Sequence, residues 1–165
     1  MPKLIESVYS GFTVQRIKDV YFSLNDELLI DFNANQIVFE LGQTLGANED
    51  RRLVNLTIRV FFHYVESEEI IADIKVQNIF FLPDLNKYIN GNTLSLPSDI
   101  IVSMVSVGIA HTRALLAKNL AGTPLDETLL PVFNPLSLAQ EFFPNLFNDK
   151  ETSESQKPKK KSLRK

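Results

Sequence analysis

Acid–base or metal chemistry in this 165-residue chain would have to begin at its only two histidines, His63 and His111. Imidazole is the side chain that titrates nearest neutrality, but a protein metal site needs further His, Cys or carboxylate ligands at fitting spacing. Neither histidine has such a neighbour in sequence. His63 alternates onto the polar face of a strand-like segment and His111 lies next to Arg113 in a long apolar stretch, so solvated or hydrogen-bonded roles are expected for both. The chain contains no Cys, which removes disulfides, thiolate metal sites and cysteine nucleophiles. The six glycines, at 11, 42, 46, 91, 108 and 122, make neither a phosphate-binding loop nor a dinucleotide fingerprint, and no G-x-S-x-G elbow occurs. Glu66, Glu68 and Glu69 crowd a turn and read as solvated charge. The chain is therefore read as a non-enzyme with no metal or cofactor.

The elements that would position these residues are four strands followed by two helices. The segment from Phe12 to Leu24 is rich in strand formers but breaks its alternation. Phe12, Val14, Val20, Phe22 and Leu24 share parity, Arg16 and Lys18 interrupt them, and Ile17 and Tyr21 fall on the other face. A bulge, or a strand meeting different partners on its two faces, is expected there. From about Gln36 to Leu45, residues Ile37, Phe39, Leu41 and Leu45 alternate with polar positions. Leu53 to Val65 alternates most clearly, with Val54, Leu56, Ile58, Val60, Phe62 and Tyr64 on one face. Ile70 to Leu82 places Ile70, Ala72, Ile74, Val76, Phe80 and Leu82 together. The links 46–50 and 66–69 are too short for crossover helices, so the sheet must be antiparallel. Its wetter face still carries Ile17, Tyr21, Phe61, Ile79 and Phe81 beside Arg59, Asp73 and Lys75, a pattern that calls for a partner, a covering segment or a ligand.

After Pro97 the period becomes helical. Ser98 is the expected N-cap, Asp99 favours the first turn, and Gly122 stops a helix that ends near Leu120. Ile100 to Ala110 is apolar nearly all round, and Ser103, Ser106, Ala110, Ala114, Ala117 and Ala121 repeat at helical spacing. The sheet can cover one side, and the small-residue side invites a second subunit. The eleven-residue apolar run is too short to span a membrane. Asn134-Pro135 opens a second helix whose apolar stripe includes Leu136, Leu138, Ala139, Phe142 and Phe143, and Pro144 closes it. The fold class is α+β: a four-stranded antiparallel sheet packed by one long and one short C-terminal helix.

Charge divides the chain. Residues 1–149 hold 10 Lys/Arg against 18 Asp/Glu, a net of −8, and residues 150–165 hold 7 against 2, a net of +5. The expected organisation is an N-terminal extension over 1–11, one domain over 12–149 and a basic disordered tail over 150–165. The first residues lack the apolar stretch of a signal peptide, so a cytoplasmic protein is expected. Nucleic acid is not an expected partner. A surplus of aromatic and apolar surface on an acidic body is the profile of a protein that binds other chains.

Several stretches resemble the bacterial export chaperone SecB and its SecB-like relatives. Phe12-Thr13-Val14-Gln15-Arg16-Ile17, followed by Lys18-Asp19-Val20 and Phe22, is similar to that family's opening strand. Asp31-Phe32 ahead of Phe39-Glu40-Leu41, the Asp73, Ile79 and Phe80 positions, and Leu130-Pro131-Val132 before the short helix also resemble it. The resemblance spans roughly residues 12–147 and rests on the number and order of these motifs. It implies an ATP-independent holdase chaperone for unfolded polypeptide clients such as secretory preproteins, built as a homotetramer that is a dimer of dimers. It implies a polypeptide groove involving Leu29, Phe32, Phe39, Phe81, Leu138 and Phe142. It implies subunit contacts through Arg16, Lys18, Ser103, Ser106, Ala110, Ala114 and Ala117, and a fourth-strand stretch, Ile70, Ala72, Ile74 and Val76, tied to assembly and chaperone activity. Two other roles stay open: a chaperone dedicated to the antitoxin of a toxin–antitoxin system, and a docking module for one folded partner. The sequence departs from the family at Ala34 and Gln77-Asn78, in lacking a cysteine in the long helix and an Asn before Phe133, and in its basic KKKSLRK ending, which argues against coupling to a SecA-type motor.

Overall fold

The computed structural model describes residues 11–30, 33 and 36–147. The expected extension (Gly11 apart), the loop residues Asp31, Phe32 and Ala34, and the basic tail lie outside the described residues. Four twelve-residue strands, β1 (Thr13–Leu24), β2 (Ile37–Asn48), β3 (Leu53–Tyr64) and β4 (Ile70–Phe81), form one antiparallel sheet in the order β1-β4-β3-β2. A single-turn 3-10 helix, Asp26–Leu29, follows β1 and is capped by Asn25, whose side chain accepts from the Glu27 amide. Two short strands, β5 (Ile89–Asn90) and β6 (Thr93–Leu94), make a small hairpin turned by Gly91 at φ +58°, an element with no clear sequence signal. The helices are α1 (Ser98–Leu120) and α2 (Pro135–Phe142).

The two hairpins expected from sequence are present, β2–β3 and β3–β4. β3 alternates as its sequence alternates, with Val54, Leu56, Ile58, Val60 and Phe62 all buried under the helices. Two bulges resolve the irregular β1. Its pairing with β4 skips Gln15 and again Val20, so side-chain parity flips twice. Arg16 and Lys18 are thereby turned away from the helices, while Ile17 stands opposite Asn78 on the helix face. That corrects the expectation that Ile17 shares the outer face with Tyr21. A third irregularity corrects β4. Phe62 pairs with Ala72 but His63 pairs with Ile70, so Ile71 is the extra residue. Ile71 is fully buried and Ile70 turns outward, 38% exposed, instead of sharing a face with Ala72, Ile74 and Val76.

α1 lies across the helix-facing side of β3 and β4. By length and apolar composition this 23-residue helix could cross a bilayer, so the eleven-residue count understates it. In the fold it acts as a core helix, burying Ile101, Met104, Val105, Ile109, Leu116 and Leu120 against the sheet. Gly108 sets the depth of that contact. A Cβ there would sit 3.0 Å from Ile58 Cδ1 and 3.1 Å from Leu56 Cδ2. Beside it, the fully buried Asn78 accepts a hydrogen bond at Oδ1 from His111 Nδ1 at 2.6 Å, while its Nδ2 has no partner. Pro97 occupies the N-cap position, so Ser98 is the first helical residue, not the cap. Gly122, at φ +77°, follows the helix C-terminus as expected. α2 starts as its sequence indicates: the Asn134 side chain accepts from the Leu136 and Ser137 amides at 2.9 and 3.2 Å, and Pro135 takes the first helical position.

Gly108→Val tests the depth of this contact. Valine would crowd Ile58 and Leu56, and overpacking of that kind costs about 1–3 kcal/mol. The midpoint of urea unfolding should fall with its slope unchanged. Gly108→Ala should be milder, because the ~1 kcal/mol gained in helix propensity offsets part of the crowding. A valine variant as stable as the parent would contradict the packing.

Candidate functional site

α1 covers β3 and β4. α2 packs chiefly on α1, and Phe133 before it and Phe142 at its end reach β2. The Phe39 ring on β2 meets Phe62 at 6.3 Å and Phe133 edge-on at 6.2 Å. Gln43, on the same face of β2, donates from Nε2 to the Phe142 carbonyl at 2.7 Å, fastening the end of α2 to the strand. Phe142 and Phe143 form a further edge-on pair. Leu138 and Ala139 are buried beneath α2.

Of the groove residues expected from sequence, Phe39 and Phe142 are half-buried where the end of α2 is fastened to β2, and Leu138 is buried in the core. Leu29 is buried in the common core, next to Leu28, whose carbonyl accepts from the Tyr64 hydroxyl at 2.6 Å. Phe81 is not brought to the group. It pairs with Thr13 and Leu53 on the opposite face of the sheet. Phe32 lies outside the described residues.

The same region exposes aliphatic side chains that sequence reasoning did not single out as binding residues. Leu129 is 63% exposed, Val132 83% and Leu136 48%, all within one eight-residue stretch. The stretch before α2 has no regular structure, so no periodicity marks Leu129 or Val132. The signal available was Val132 between Pro131 and Phe133, apolar residues in a segment that must run over the surface.

The small-residue side of α1 is open. Ala110 and Ala114 are exposed, and Ser103, Ser106 and Ala117 are half-buried. Two hollows flank it. One of about 500 Å³ is lined by Phe12, Val14, Val102, Ser106, Val107 and Pro135. The other, of about 340 Å³, is lined by Ala110, Arg113, Ala114, Ala117, Leu129 and Leu130. The exposed Leu129 thus joins the α1 stripe to the stretch leading into α2.

The outer face of the sheet is polar and strongly cross-linked. Arg59 binds Asp73 through two hydrogen bonds, Nε–Oδ1 at 2.9 Å and Nη2–Oδ2 at 2.7 Å, and its guanidinium stacks over the Phe61 ring at 4.7 Å. The hydrogen bond with Asp73 raises the Arg59 pKa further, so the guanidinium keeps its charge. His63 stacks on Phe61 and faces acceptors at both ring nitrogens. Nδ1 lies 3.0 Å from the Tyr64 carbonyl and 3.2 Å from that of Ser67, and Nε2 lies 3.0 Å from Glu40 Oε1. Only the imidazolium can donate to both sides, and the Tyr64 carbonyl foremost pulls the His63 pKa up. His111 behaves oppositely: burial lowers its pKa. Among the described residues, no group of three or more His, Asp or Glu is placed to hold a metal ion.

No family model matches the chain, and no curated protein matches it by sequence. Among solved structures, the fold is similar to that of the SecB-like chaperone of Mycobacterium tuberculosis, determined in complex with a ChAD peptide from the antitoxin HigA1. The two share 9% sequence identity at a TM-score of 0.51, over 75% of this chain and 92% of that one. At that identity the likeness establishes a common SecB-like fold.

The two histidines should give opposite pH dependences. Stabilisation from the raised His63 pKa is complete below the unfolded value of about 6.5 and fades as pH rises through the folded value. Stabilisation linked to the lowered His111 pKa is complete above about 6.5 and fades as pH falls. In urea unfolding between pH 5 and 8, the gap between parent and His63→Gln should widen toward acid. The gap for His111→Gln should widen toward alkali. Gaps independent of pH would contradict both assignments.

Proposed function

We propose that the chain is an ATP-independent holdase chaperone, which shields non-native polypeptides on the apolar surface formed by β2, the stretch 129–134 and α2. The observation that carries this reading is the exposure of Leu129, Val132 and Leu136 along the segment that supplies Phe133 to the Phe39 pair and leads to the Phe142–Phe143 pair. Exposed apolar side chains of this kind are unfavourable in water and are retained where another molecule covers them. An extended client would lay alternate apolar side chains against these aromatics while β2, an unpaired sheet edge, offers its backbone groups. The acidic balance of residues 1–149 favours clients with basic residues among their apolar ones. Holding a client in this way calls for no catalytic group.

Assembly belongs to the same reading. The open stripe of Ser103, Ser106, Ala110, Ala114 and Ala117 would pack against a second copy, and a homotetramer arranged as a dimer of dimers would bury the stripe and extend the client surface across subunits. Arg16 and Lys18, which the resemblance implies at subunit contacts, lie on the outer face of the sheet and are left out of this interface. The SecB resemblance also assigns Leu29 and Phe32 to the client groove; Leu29 would act from within the core, and Phe32 lies outside the described residues. Ala72, Ile74 and Val76 would act through the core beneath α1, whereas Ile70 faces outward beside His63. A cytoplasmic site of action fits such clients, and engagement of a SecA-type motor remains outside the reading because of the basic ending.

A second reading, a chaperone dedicated to one antitoxin, is favoured by the peptide bound in the mycobacterial neighbour. The two readings differ in breadth of client. Dilution of two unrelated, chemically denatured proteins into the wild-type chain without ATP should yield suppressed aggregation for both under the first reading. Under the second, only the dedicated client is protected. Val132→Asp with Leu136→Asp should abolish the suppression while changing stability by less than about 0.5 kcal/mol, because both side chains are already exposed. Undiminished suppression by that double variant would remove the surface from the account, and sedimentation of the wild-type chain as a monomer would remove the assembly.

A further inference from the structure

The outer face of the sheet has a charge opposite to that of the chain around it. Its cross-strand rows, from β1 to β2, run Arg16–Ile79–Asn55–Gly46, Lys18–Gln77–Thr57–Thr44 and Tyr21–Lys75–Arg59–Gly42. These rows hold four cations and no carboxylate, within a stretch (residues 1–149) whose net charge is −8. The two bulges of β1 are what bring Arg16 and Lys18 onto this face. Arg59 is neutralised by Asp73 in the next row. Arg16 and Lys18 form no ion pair among the described residues, and Lys75 lies over the Tyr21 ring at 5.3 Å, its charge likewise unpaired.

A second, independent feature lies at the β2 margin of the same face. Gly42 and Gly46 sit inside a strand, where glycine costs stability. Neither has a positive φ. A Cβ on Gly46 would meet nothing within 4 Å, and one on Gly42 would meet only Arg59 Cβ at an ordinary 3.8 Å. Neither backbone conformation nor the chain's own packing requires these glycines. Flanking Thr44 on one face, they leave a low shelf on which another backbone can lie close to the sheet.

We propose that this face is a second docking surface, on the opposite side of the sheet from the client surface, and that its occupant is a short, extended, acidic segment of a partner protein. Carboxylates of that segment engage Lys75, Lys18 and Arg16, and its backbone crosses onto the Gly42–Gly46 shelf beside the hydroxyls of Thr44 and Thr57. Three inter-strand spacings of about 4.8 Å span about 14 Å, the reach of about four or five extended residues. The boundary argues for a peptide over a nucleic acid. The next row is Ser23–Asp73–Phe61–Glu40, so a continuing polyphosphate would run over Glu40 and into the field of an acidic body, while a short acidic segment ends before it.

Fluorescence anisotropy at low salt tests this on the full-length protein, with a labelled eight-residue Glu/Gly peptide, a Lys/Gly peptide and an eight-nucleotide single strand as probes. The Glu/Gly peptide should bind and the other two should not. Arg16→Glu with Lys18→Glu and Lys75→Glu should weaken binding by about tenfold or more. Gly42→Val with Gly46→Val leaves every charge in place and adds side chains into open space. It should hold or raise the unfolding midpoint, because valine suits a strand better than glycine, and still weaken binding by about threefold or more. If the charge variant does not fold, the glycine variant decides alone. Equal peptide affinity in both variants would assign the binding to the basic ending of the chain and overturn the proposal. Absence of binding, or tighter binding of the oligonucleotide, would also overturn it.

Discussion

The close approach of α1 to the sheet at Gly108 is the constraint on which the rest of the arrangement depends. Because residue 108 has no side chain, Leu56 and Ile58 reach the helix backbone, and the helix buries one flank deeply against β3 and β4. Each large aliphatic side chain covered there contributes about 1.5–3 kcal/mol. The Asn78–His111 hydrogen bond beside the glycine fixes the rotation of the helix about its axis, although Asn78 Nδ2 remains buried without a partner. With that rotation set, the small residues from Ser103 to Ala117 must point away from the sheet. The chain leaving α1 then has to return across toward β2, where α2 is fastened by Gln43.

This geometry gives the two faces of one sheet different chemistries. The helix-facing side ends, toward β2, in aromatic pairs and exposed aliphatics. The outer side carries Arg59 and His63 against Phe61 and Lys75 over Tyr21, with Asp73 and Glu40 pairing Arg59 and His63. The apolar side is the one on which the proposed client surface lies, and the likeness to a SecB-like chaperone extends to the fold. The polar side has charge and shelf-like glycines that the chain's own packing leaves unexplained. Under the two proposals, one sheet would serve two partners on opposite faces.

Much of the architecture could be read from the amino-acid order because single residues carry strong local physics. The strict alternation from Leu53 to Tyr64 fixes a strand, and Asn134-Pro135 fixes a helix start. What could not be read is parity after an unpaired residue. A bulge adds one residue without changing composition, so a period-2 pattern has no means of registering Gln15, Val20 or Ile71. Ile17 and Ile70 were therefore expected on faces where they do not lie. The candidate site was legible to the same extent. Leu138 is buried in the core, and Phe39 and Phe142 come to the junction of β2 with the end of α2 because they lie on one strand face and one helix stripe. Phe81 does not, because it is one residue out of phase with the buried Phe80. Leu129 and Val132 escaped notice because irregular segments have no period to read.

The account stands or falls on where a client touches the chain. Amide hydrogen exchange of the wild-type protein, with and without an unfolded polypeptide, reports this residue by residue. Binding at the proposed surface predicts new protection along the free edge of β2 and through 129–143. The amides of β4, already paired on both sides, should change little. Protection absent from both β2 and the 129–143 stretch while the client is bound would contradict the central claim.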